Sequence, residues 1–400
     1  MRDVAVIGVS MTKFGKFLDK GIKDLVREAV EGALQDADMD KNAIEAAFVG
    51  NGVAGIMTGQ EMIRGQVTLN PMGIQGIPVY NLESACASSS SAFNLAWTSV
   101  AAGVHDCALV VGFEKLYHKD KRKPFQALET AIDVEDGIAH LKEIVQEGSG
   151  ENRSVFMDVY AHYTKRNMKK FGLTQEDFAR LSVKSHKNGS LNPLAQYQKP
   201  VTIEEVLQSG DVVYPLTRMM CAPIGDGAAA AILCAGSKAA QHTIKPIWVA
   251  ASVMGSGITN TDPDDNITVR LAPKVYDKAE IGSEDIDVIE VHDATTPSEI
   301  IDLIDLGLCP GDEAKKWINE GYLELDGKLP TNPSGGLVSK GHPVGATGCG
   351  MIYEIVKQLR GEAGKRQVKN PKIGMTMNGG GVLVTDTMDT ATMSLNIFKR

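Results

Sequence analysis

Cys86 is the residue of this chain whose surroundings most clearly permit chemistry. It follows an extended apolar run at residues 77–82 and precedes ASSSSAF at 87–93, a pattern typical of a buried helix. A cysteine at such a strand-to-helix turn lies near the unpaired amide groups of the helix start. Those groups favour thiolate over thiol and can bind an oxygen that becomes negatively charged. The pattern therefore predicts a nucleophile for covalent acyl transfer.

Three motifs further along the chain supply partners for this cysteine. His342 lies in GHPVGATG at 341–348, just before a second apolar helix, where glycine and proline fix the backbone. His292 follows a buried strand predicted at 286–291, and NGGG at 378–381 is a turn between two apolar strands. One cysteine, two histidines and a glycine turn, all at element ends, form a nucleophile, base and oxyanion set.

The composition excludes several classes of protein. Of 400 residues, 43% are hydrophobic and 23% charged, so the chain can bury a large core in two or three domain-sized units. A net charge of −9 argues against nucleic-acid binding. We expect no membrane span, because no apolar run is long enough. We expect no signal peptide, because the sequence opens with a predicted strand, and we therefore expect a cytoplasmic protein. The six cysteines form no C-x-x-C pair, so neither a disulfide framework nor a metal site is predicted.

The sequence is internally duplicated. The opening strand at 3–10 has a counterpart at 247–255, and Cys86 before its helix corresponds to His342 before its own. Helices that alternate with β-branched strands predict an α/β architecture with mixed sheets covered on both faces. Two such halves, stacked face to face, would bring the loops before the matching helices to one site.

A long insertion divides the first half. The predicted divisions are an N-terminal half at 1–112, an inserted loop domain at 113–215, a return to the N-terminal half at 216–242 and a C-terminal half at 243–400. The insertion is polar and mostly helical or irregular. Long insertions in compact repeats are usually functional, as lids or binding loops. The alternative is a peripheral segment that supports a subunit interface.

Four separated motifs carry a family resemblance. They are ESACAS at 83–88, HDAT at 292–295, NPSGG at 332–336 with GHPVGATG at 341–348, and NGGG at 378–381. Over essentially its whole length the chain resembles the thiolase family, and within it the sterol-carrier-protein type and archaeal type thiolases. The resemblance implies a five-layer αβαβα fold and a homodimer or dimer of dimers. It also implies coenzyme A as a substrate that lies across the inserted domain, with no covalently bound cofactor.

The same resemblance implies a role for each motif residue. Cys86 would carry the acyl group and His342 would accept its proton. His292 would hold a water against the thioester oxygen, while the N–H groups of Cys86 and Gly380 would bind the oxyanion of the acyl-enzyme. Asn332 would orient this region. The positions assigned to coenzyme A binding are His186, Ser334 and Gly335.

The chain departs from the family pattern at one catalytic position. Most thiolases carry a second cysteine that protonates the departing enolate, either in the glycine turn or directly after His-Asp. Here the turn has Asn378 and the other position is Ala294. The substitutes open to the sequence are His292, His342 acting twice, or a thiol from Cys349 or Cys221.

Three functions follow from this departure. The first is thiolase cleavage of a 3-oxoacyl-CoA by CoA, or the reverse Claisen condensation, on an unusual aromatic or dicarboxylic acyl group. The second is retro-aldol cleavage of a 3-hydroxyacyl-CoA, and the third is a non-catalytic acyl-CoA binding subunit. The retained Cys86 favours the first. Relatives often associate with a small zinc-ribbon and OB-fold subunit, which for this chain would be a separate protein.

Overall fold

Eleven strands and fifteen helices build the described part of the chain. The computed structural model describes residues 1–145, 153–239, 241–242, 245–259 and 262–400. The strands are β1 (Val4–Met11), β2 (Ala46–Gly50), β3 (Val79–Leu82), β4 (Cys107–Lys115), β5 (Asp211–Val213), β6 (Leu216–Thr217), β7 (Asp226–Ala235), β8 (Ile247–Ser256), β9 (Val288–Glu290), β10 (Ile373–Val384) and β11 (Met388–Lys399). The helices are α1 (Ile22–Asp36), α2 (Ala54–Thr58), α3 (Arg64–Leu69), α4 (Ser88–Ala101), α5 (Lys123–Glu129), α6 (Gly137–Val145), α7 (Val155–Phe171), α8 (Gln175–Ser190), α9 (Ile203–Leu207), α10 (Gly236–Ala239), α11 (Ile267–Ala279), α12 (Thr296–Asp305), α13 (Ala314–Asn319), α14 (Gly336–Lys340) and α15 (Thr347–Arg360).

Nine of the strands form two half-sheets with the same pattern of directions. The first has the order β3-β2-β4-β7-β1 and the second β8-β11-β10-β9, and β1 joins β8 through only two residue pairs. In the first half-sheet, β2 and β4 are parallel, and the pairs β4–β7 and β7–β1 are antiparallel. In the second, β9 and β10 are parallel, and the pairs β10–β11 and β11–β8 are antiparallel. This repeated topology confirms the duplication predicted from the sequence.

Helices cover both half-sheets and fill the space between them. α1 packs on the outer face of the first half-sheet, and α11 and α12 pack on the outer face of the second. α4 and α15 lie in the layer between the two half-sheets, in one hydrophobic cluster to which strands of both halves contribute. The result is the predicted five-layer αβαβα arrangement. α8 and α9, from the polar stretch before β5, share the hydrophobic cluster of the second half.

The first turns of α4 and α15 approach each other closely. A Cβ at Gly348 would lie 2.0 Å from Ser90 Oγ, so only glycine fits there. The Cys349 N–H donates to Ser89 Oγ at 3.0 Å, which fastens the second helix to the first. The serine run of α4 is buried because its small side chains permit this approach. The residues just before the two helices, Cys86 and His342, are thereby brought together.

Buried charges fasten the chain segments that precede the two histidines. Glu290, at the end of β9, pairs with Lys340 at 2.9 Å, with side chains 0% and 1% exposed. Ser334 donates to both oxygens of this carboxylate, through its hydroxyl at 2.7 Å and its N–H at 3.0 Å. Lys184 and Glu299, 2.5 Å apart, form a second buried pair between α8 and α12. Complete pairing is required here, because an isolated buried charge is strongly destabilising.

In the described residues, no helix has both the length and the apolar character to cross a membrane.

The buried pair gives a stability prediction. Lys340→Met is expected to lower the free energy of unfolding by about 3–5 kcal/mol, because the Glu290 carboxylate then stays buried without a cation. Urea denaturation measures this loss. Lys187→Met is the matched control, because Lys187 pairs with Glu324 at the surface, and should cost less than about 1 kcal/mol. Adding Glu290→Gln to Lys340→Met should restore most of the stability; an unchanged loss in the double variant would contradict this account.

Candidate active site

Cys86 lies where the sequence pattern predicts, between a strand and a helix. It is the middle residue of a 3-10 turn, Ala85–Ala87, that joins β3 to α4. The turn is tight, since Ala85 has a φ of 48° and the Ala87 N–H donates to the Ser84 carbonyl at 2.9 Å. A non-glycine residue in this left-handed region is uncommon, and such strain is concentrated at functional sites.

The neighbours of His342 fix its tautomer. Its Nδ1 is 2.7 Å from Thr347 Oγ1, and that hydroxyl donates its own proton to the Pro343 carbonyl at 3.1 Å. The hydroxyl can therefore only accept from the ring, which places the ring proton on Nδ1. Nε2 of His342 is left as a hydrogen-bond acceptor, the form that a general base needs.

His292 has the opposite tautomer. Its Nδ1 is 2.8 Å from the amide nitrogen of Asn378, which is a donor. The amide oxygen of Asn378 accepts from Ser90 Oγ at 2.7 Å, and this bond orients the amide. The ring proton of His292 therefore lies on Nε2, which can donate to an oxygen in the site. One histidine is arranged to accept a proton and the other to donate a hydrogen bond.

The three side chains form one cluster. The Cys86 sulfur and one ring nitrogen each of His292 and His342 lie within 4.8 Å of one another. The two imidazole rings are 5.1 Å apart between centroids and nearly perpendicular, at 83°. Catalytic hydrogen bonds are often this loose before substrate binds. The fold thus brings Cys86 to two histidines that lie more than 200 residues further along the sequence.

The resting cluster is electrically neutral. Burial, together with the carboxylates of Glu114 and Glu83, raises the pKa of the Cys86 thiol to about 12. Burial lowers the pKa of His292 to about 4, and burial, His292 and Lys340 hold the pKa of His342 well below its ordinary value. The prediction that the helix start favours thiolate is therefore wrong for the resting site, because desolvation outweighs the helix.

The glycine turn lies directly against the cysteine turn. A Cβ at Gly380 would be 2.2 Å from the Ser84 carbonyl oxygen and 2.7 Å from the Ala87 nitrogen. No other residue fits at this position without moving one of the two turns. The backbone of β10 therefore borders the space in front of Cys86, as the sequence motif suggested.

A cavity of about 790 Å³ opens in front of the cluster. Cys86, His292, His342 and Gly380 all line it. Its lining also contains polar side chains, which include Asp302 and Asp305 of α12, Arg166 and Lys170 of α7, and Asn266. One carboxylate oxygen of Asp302 is buried with no hydrogen-bond partner among the described residues. Asp305 accepts from the Asn266 amide at 2.8 Å.

Four residues predicted for the site do not line the cavity. Asn332 is buried and holds the end of β9, since its side chain accepts from the Val291 N–H at 2.8 Å and donates to Glu299. Ser334 binds the Glu290 carboxylate, and Gly335 packs against the backbone of Gly189. His186 stacks on Tyr197 with ring centroids 6.0 Å apart. The structure gives these four residues supporting positions behind the site, because their motifs form the buried polar layer.

The two thiols named as substitutes for the second cysteine differ in their access to the cavity. Cys349 is fully buried in the first turn of α15 and does not reach the cavity. Cys221 does line the cavity and forms a β-bridge with Thr295, beside Ala294. Tyr160 of α7 also lines it and was missed by the sequence analysis, because no motif surrounds it.

Two groups of side chains in the described chain have the spacing of metal ligands. One is the cysteine and histidine cluster described above, and the other is Cys107, Cys234 and His242. The sulfurs of Cys107 and Cys234 are 3.3 Å apart on neighbouring strands. The expectation of no metal site stays a prediction.

Family comparisons agree with this fold. Residues 4–237 match the thiolase N-terminal domain, and residues 257–390 match the C-terminal domain-like part of thiolases. The protein is an enzyme of the acyltransferase class. It belongs to the thiolase family.

Three relatives are similar over nearly the whole chain. The acetyl-CoA acetyltransferase of Methanothermobacter thermautotrophicus is 40% identical over 405 residues, with 100% of both chains covered. Sterol carrier protein 2 of Bos taurus is 35% identical, covering 96% of this chain and 71% of that protein. Benzoylsuccinyl-CoA thiolase subunit BbsB of Thauera aromatica is 34% identical, covering 96% and 97%.

Solved structures with low sequence identity share the fold. The Ltp2-ChsH2(DUF35) aldolase has a TM-score of 0.78 at 21% identity, covering 98% of this chain and 97% of that chain. Human mitochondrial 3-ketoacyl-CoA thiolase in complex with CoA has a TM-score of 0.69 at 15% identity, covering 100% and 98%.

The neutral resting cluster predicts how Cys86 reacts with an alkylating agent. With a pKa of about 12, about one thiol in 10⁵ is ionised at pH 7, and this fraction rises about tenfold per pH unit. The rate of Cys86 alkylation by iodoacetamide, followed by peptide mass spectrometry, should therefore climb steadily from pH 7 to 9.5. A plateau already reached below pH 8 would reveal a preformed thiolate–imidazolium pair and contradict the assignment.

Proposed function

We propose that this thiolase-family enzyme cleaves a 3-oxoacyl-CoA with CoA, or runs the reverse Claisen condensation, through an acyl group carried on Cys86. The observation that supports this most directly is the cluster of Cys86, His292 and His342 on the wall of one cavity. The two histidine tautomers match the two tasks of the reaction, acceptance of a proton and stabilisation of an oxyanion.

Acylation begins at the thiol. As the Cys86 sulfur attacks the 3-oxo carbon of the substrate, its proton passes to Nε2 of His342, because that nitrogen is the free acceptor. The Nδ1–H of His342 keeps its hydrogen bond to Thr347 throughout, so the ring stays oriented as it becomes charged. Charge thus forms only while the new carbon–sulfur bond forms.

Two oxyanion positions are proposed. The N–H groups of Cys86 and Gly380, on turns that touch each other, would bind the oxygen of the acyl group on the cysteine. The Nε2–H of His292, directly or through a water, would bind the thioester oxygen of the departing enolate. Removal of one such donor typically lowers turnover by about 10²- to 10³-fold. Asn332 supports His292 from behind by holding the end of β9.

Coenzyme A is the proposed second substrate, with no cofactor bound covalently. The related human thiolase has been solved with CoA, at low identity to this chain. Arg218 lines the cavity, is exposed, and has no carboxylate partner among the described residues. A free guanidinium at the rim suits the phosphates of CoA. We propose this position in place of His186, Ser334 and Gly335, which lie outside the cavity.

The acyl group is proposed to be polar at its far end, of the aromatic or dicarboxylic kind. A relative is named benzoylsuccinyl-CoA thiolase subunit. Burial and nearby carboxylates hold the pKa of Asp302 well above its ordinary value, and burial raises the pKa of Asp305 to about 6. The proposed role of Asp302 is to donate, when protonated, to a carboxylate or carbonyl oxygen of the acyl group, because one of its oxygens is buried without a hydrogen-bond partner among the described residues. A plain alkyl chain would leave it unpaired, which is costly.

A retro-aldol lyase on 3-hydroxyacyl-CoA esters is the second candidate, since one structural neighbour is named an aldolase. That reaction needs no nucleophile to carry an acyl group. The proximity of Cys86 and His342 in this chain favours the thiolase reaction over the lyase reaction. The same proximity argues against the third candidate function, a non-catalytic acyl-CoA binding subunit.

Assembly is also proposed. β3 lies at the edge of its half-sheet with Tyr80 47% exposed, and Met62 and Ile63 nearby in sequence are 75% and 58% exposed. An uncovered edge strand beside exposed apolar side chains can pair with the same surface of a second copy, which supports a homodimer or a dimer of dimers. A separate zinc-ribbon and OB-fold subunit stays part of the proposal, because the aldolase neighbour is named together with a DUF35 protein. The inserted unit at 113–215 and a cytoplasmic location also remain proposals.

Cys86→Ala tests the central step. The wild-type protein, incubated with a panel of acyl-CoA esters, should gain the mass of the acyl group on Cys86, and the variant should gain none. CoA-dependent cleavage of 3-oxoacyl-CoA should fall at least about 10⁴-fold in the variant. Cys107→Ala, which removes a buried thiol remote from the cavity, is the matched control. Cleavage retained without Cys86 would favour the lyase instead.

Asp302→Leu tests the proposed acyl group. The variant should lose at least about tenfold in kcat/KM for 3-oxoacyl-CoA esters with a distal carboxylate or carbonyl, because one hydrogen bond to the acyl group is removed. For unbranched alkyl esters of equal length, kcat/KM should stay the same or rise. Steady-state kinetics on the paired substrates measures the ratio, and an unchanged ratio would refute a specificity role for Asp302.

A further inference from the structure

The proposed reaction lacks a proton donor at the place where the family pattern would put a cysteine. When the bond between C2 and C3 of the substrate breaks, the departing thioester enolate must be protonated at C2. Ala294 offers no proton, and Cys349 does not reach the cavity. In the scheme above His342 already holds the proton of Cys86, and His292 donates to the enolate oxygen.

Resting on the proposed thiolase reaction, we propose that the hydroxyl of Tyr160 protonates the enolate carbon. Tyr160 projects from α7 into the cavity that Cys86, His292 and His342 line. Its ring packs in one apolar cluster with Ala294 and Ala222, and in a second with Val213 and Cys221. Tyr160 and Ala294 thus belong to one apolar cluster, and both line the cavity at which the missing cysteine would act.

The surroundings of Tyr160 hold the ring but leave its hydroxyl free. The Ala222 N–H donates to the Ala294 carbonyl at 2.9 Å, which holds together two residues of the apolar cluster against which Tyr160 packs. On α7 itself, Thr164 donates to the Tyr160 carbonyl at 2.7 Å. Across the described residues the phenol hydroxyl has no hydrogen-bond partner, whereas the hydroxyl of Tyr163 is engaged by the Met388 carbonyl at 2.7 Å. A free donor in the reaction cavity is available to substrate.

Electrostatics keep this group in its protonated form. Burial and the neighbouring Cys86, Asp302 and Asp293 hold the pKa of Tyr160 well above the usual value for tyrosine. A phenol is ordinarily a stronger acid than the α-carbon of a thioester, so acidity favours transfer of its proton to the enolate carbon.

The proton balance closes over one turnover. Collapse of the adduct on Cys86 breaks C2–C3, and C2 takes the proton of Tyr160, which leaves a tyrosinate and the shorter acyl-CoA. The incoming CoA thiol, whose pKa of about 8.5 is below that of the phenol, returns a proton to Tyr160 and becomes the thiolate that attacks the acyl group. Cys86 then leaves as a thiolate and recovers its proton from His342.

Cys221 is the competing donor and is less well placed. Its thiol donates to the Thr217 carbonyl at 3.4 Å, and it packs against the cluster that contains Tyr160. Burial also raises the pKa of the Cys221 thiol, to about 12, which weakens it as an acid. The experiment below separates the two groups.

Tyr160→Phe removes only the hydroxyl. Cleavage of 3-oxoacyl-CoA should fall at least about 100-fold, as expected for loss of a general acid. Acylation of Cys86 by a simple acyl-CoA without a 3-oxo group, followed by mass spectrometry, should stay within about threefold of wild type, because a CoA thiolate leaves without a proton. Tyr163→Phe, on the same helix, and Cys221→Ser should both keep cleavage within about threefold.

Each other outcome overturns the proposal. Retained cleavage in Tyr160→Phe would exclude the hydroxyl as the acid, and a large loss in Cys221→Ser alone would transfer the role to the thiol. Equal losses of cleavage and acylation in Tyr160→Phe would show a positioning role only. Failure of the proposed function itself is distinguishable, because the wild-type protein would then form no acyl-Cys86.

Discussion

The contact between the first turns of α4 and α15 is the constraint on which the site depends. Gly348 and Ser90 meet so closely that no side chain fits between them, and this distance sets how near Cys86 and His342 can come. The contact lies in the layer between two half-sheets of the same topology, so each half supplies one member of the proposed catalytic pair. Helix packing brings Cys86 and His342 together, and the turn at Ala85–Ala87 positions the cysteine before its helix.

Polar side chains near that contact set the tautomer of each histidine. Thr347 leaves His342 with an acceptor nitrogen, and Asn378 leaves His292 with a donor nitrogen. Two chemically identical rings, 5.1 Å apart, are thereby given different tasks. The buried pairs of Glu290 with Lys340 and of Lys184 with Glu299 hold the segments that carry these rings, which explains charged residues in so deep a layer.

The sequence predicted the duplication, and its resemblance to the thiolase family implied the five layers. Cys86, His292 and His342 could be grouped from the sequence because each stands at the end of a predicted element. The sequence assigned substrate contacts to Ser334 and Gly335, whose motif serves the buried polar layer instead. Tyr160 and Asp302 escaped notice, since they lie within regular helices where only tertiary packing decides which face meets the cavity. The ionisation of the cysteine was misjudged because desolvation is a property of the assembled site.

A thiol that stays unionised until substrate arrives has a consequence beyond catalysis. Peroxides oxidise the thiolate form of cysteine, so a sulfur whose proton is held by burial and by the carboxylates of Glu114 and Glu83 is shielded from them. A low thiolate fraction at rest therefore makes Cys86 a poor target for peroxides before a substrate binds.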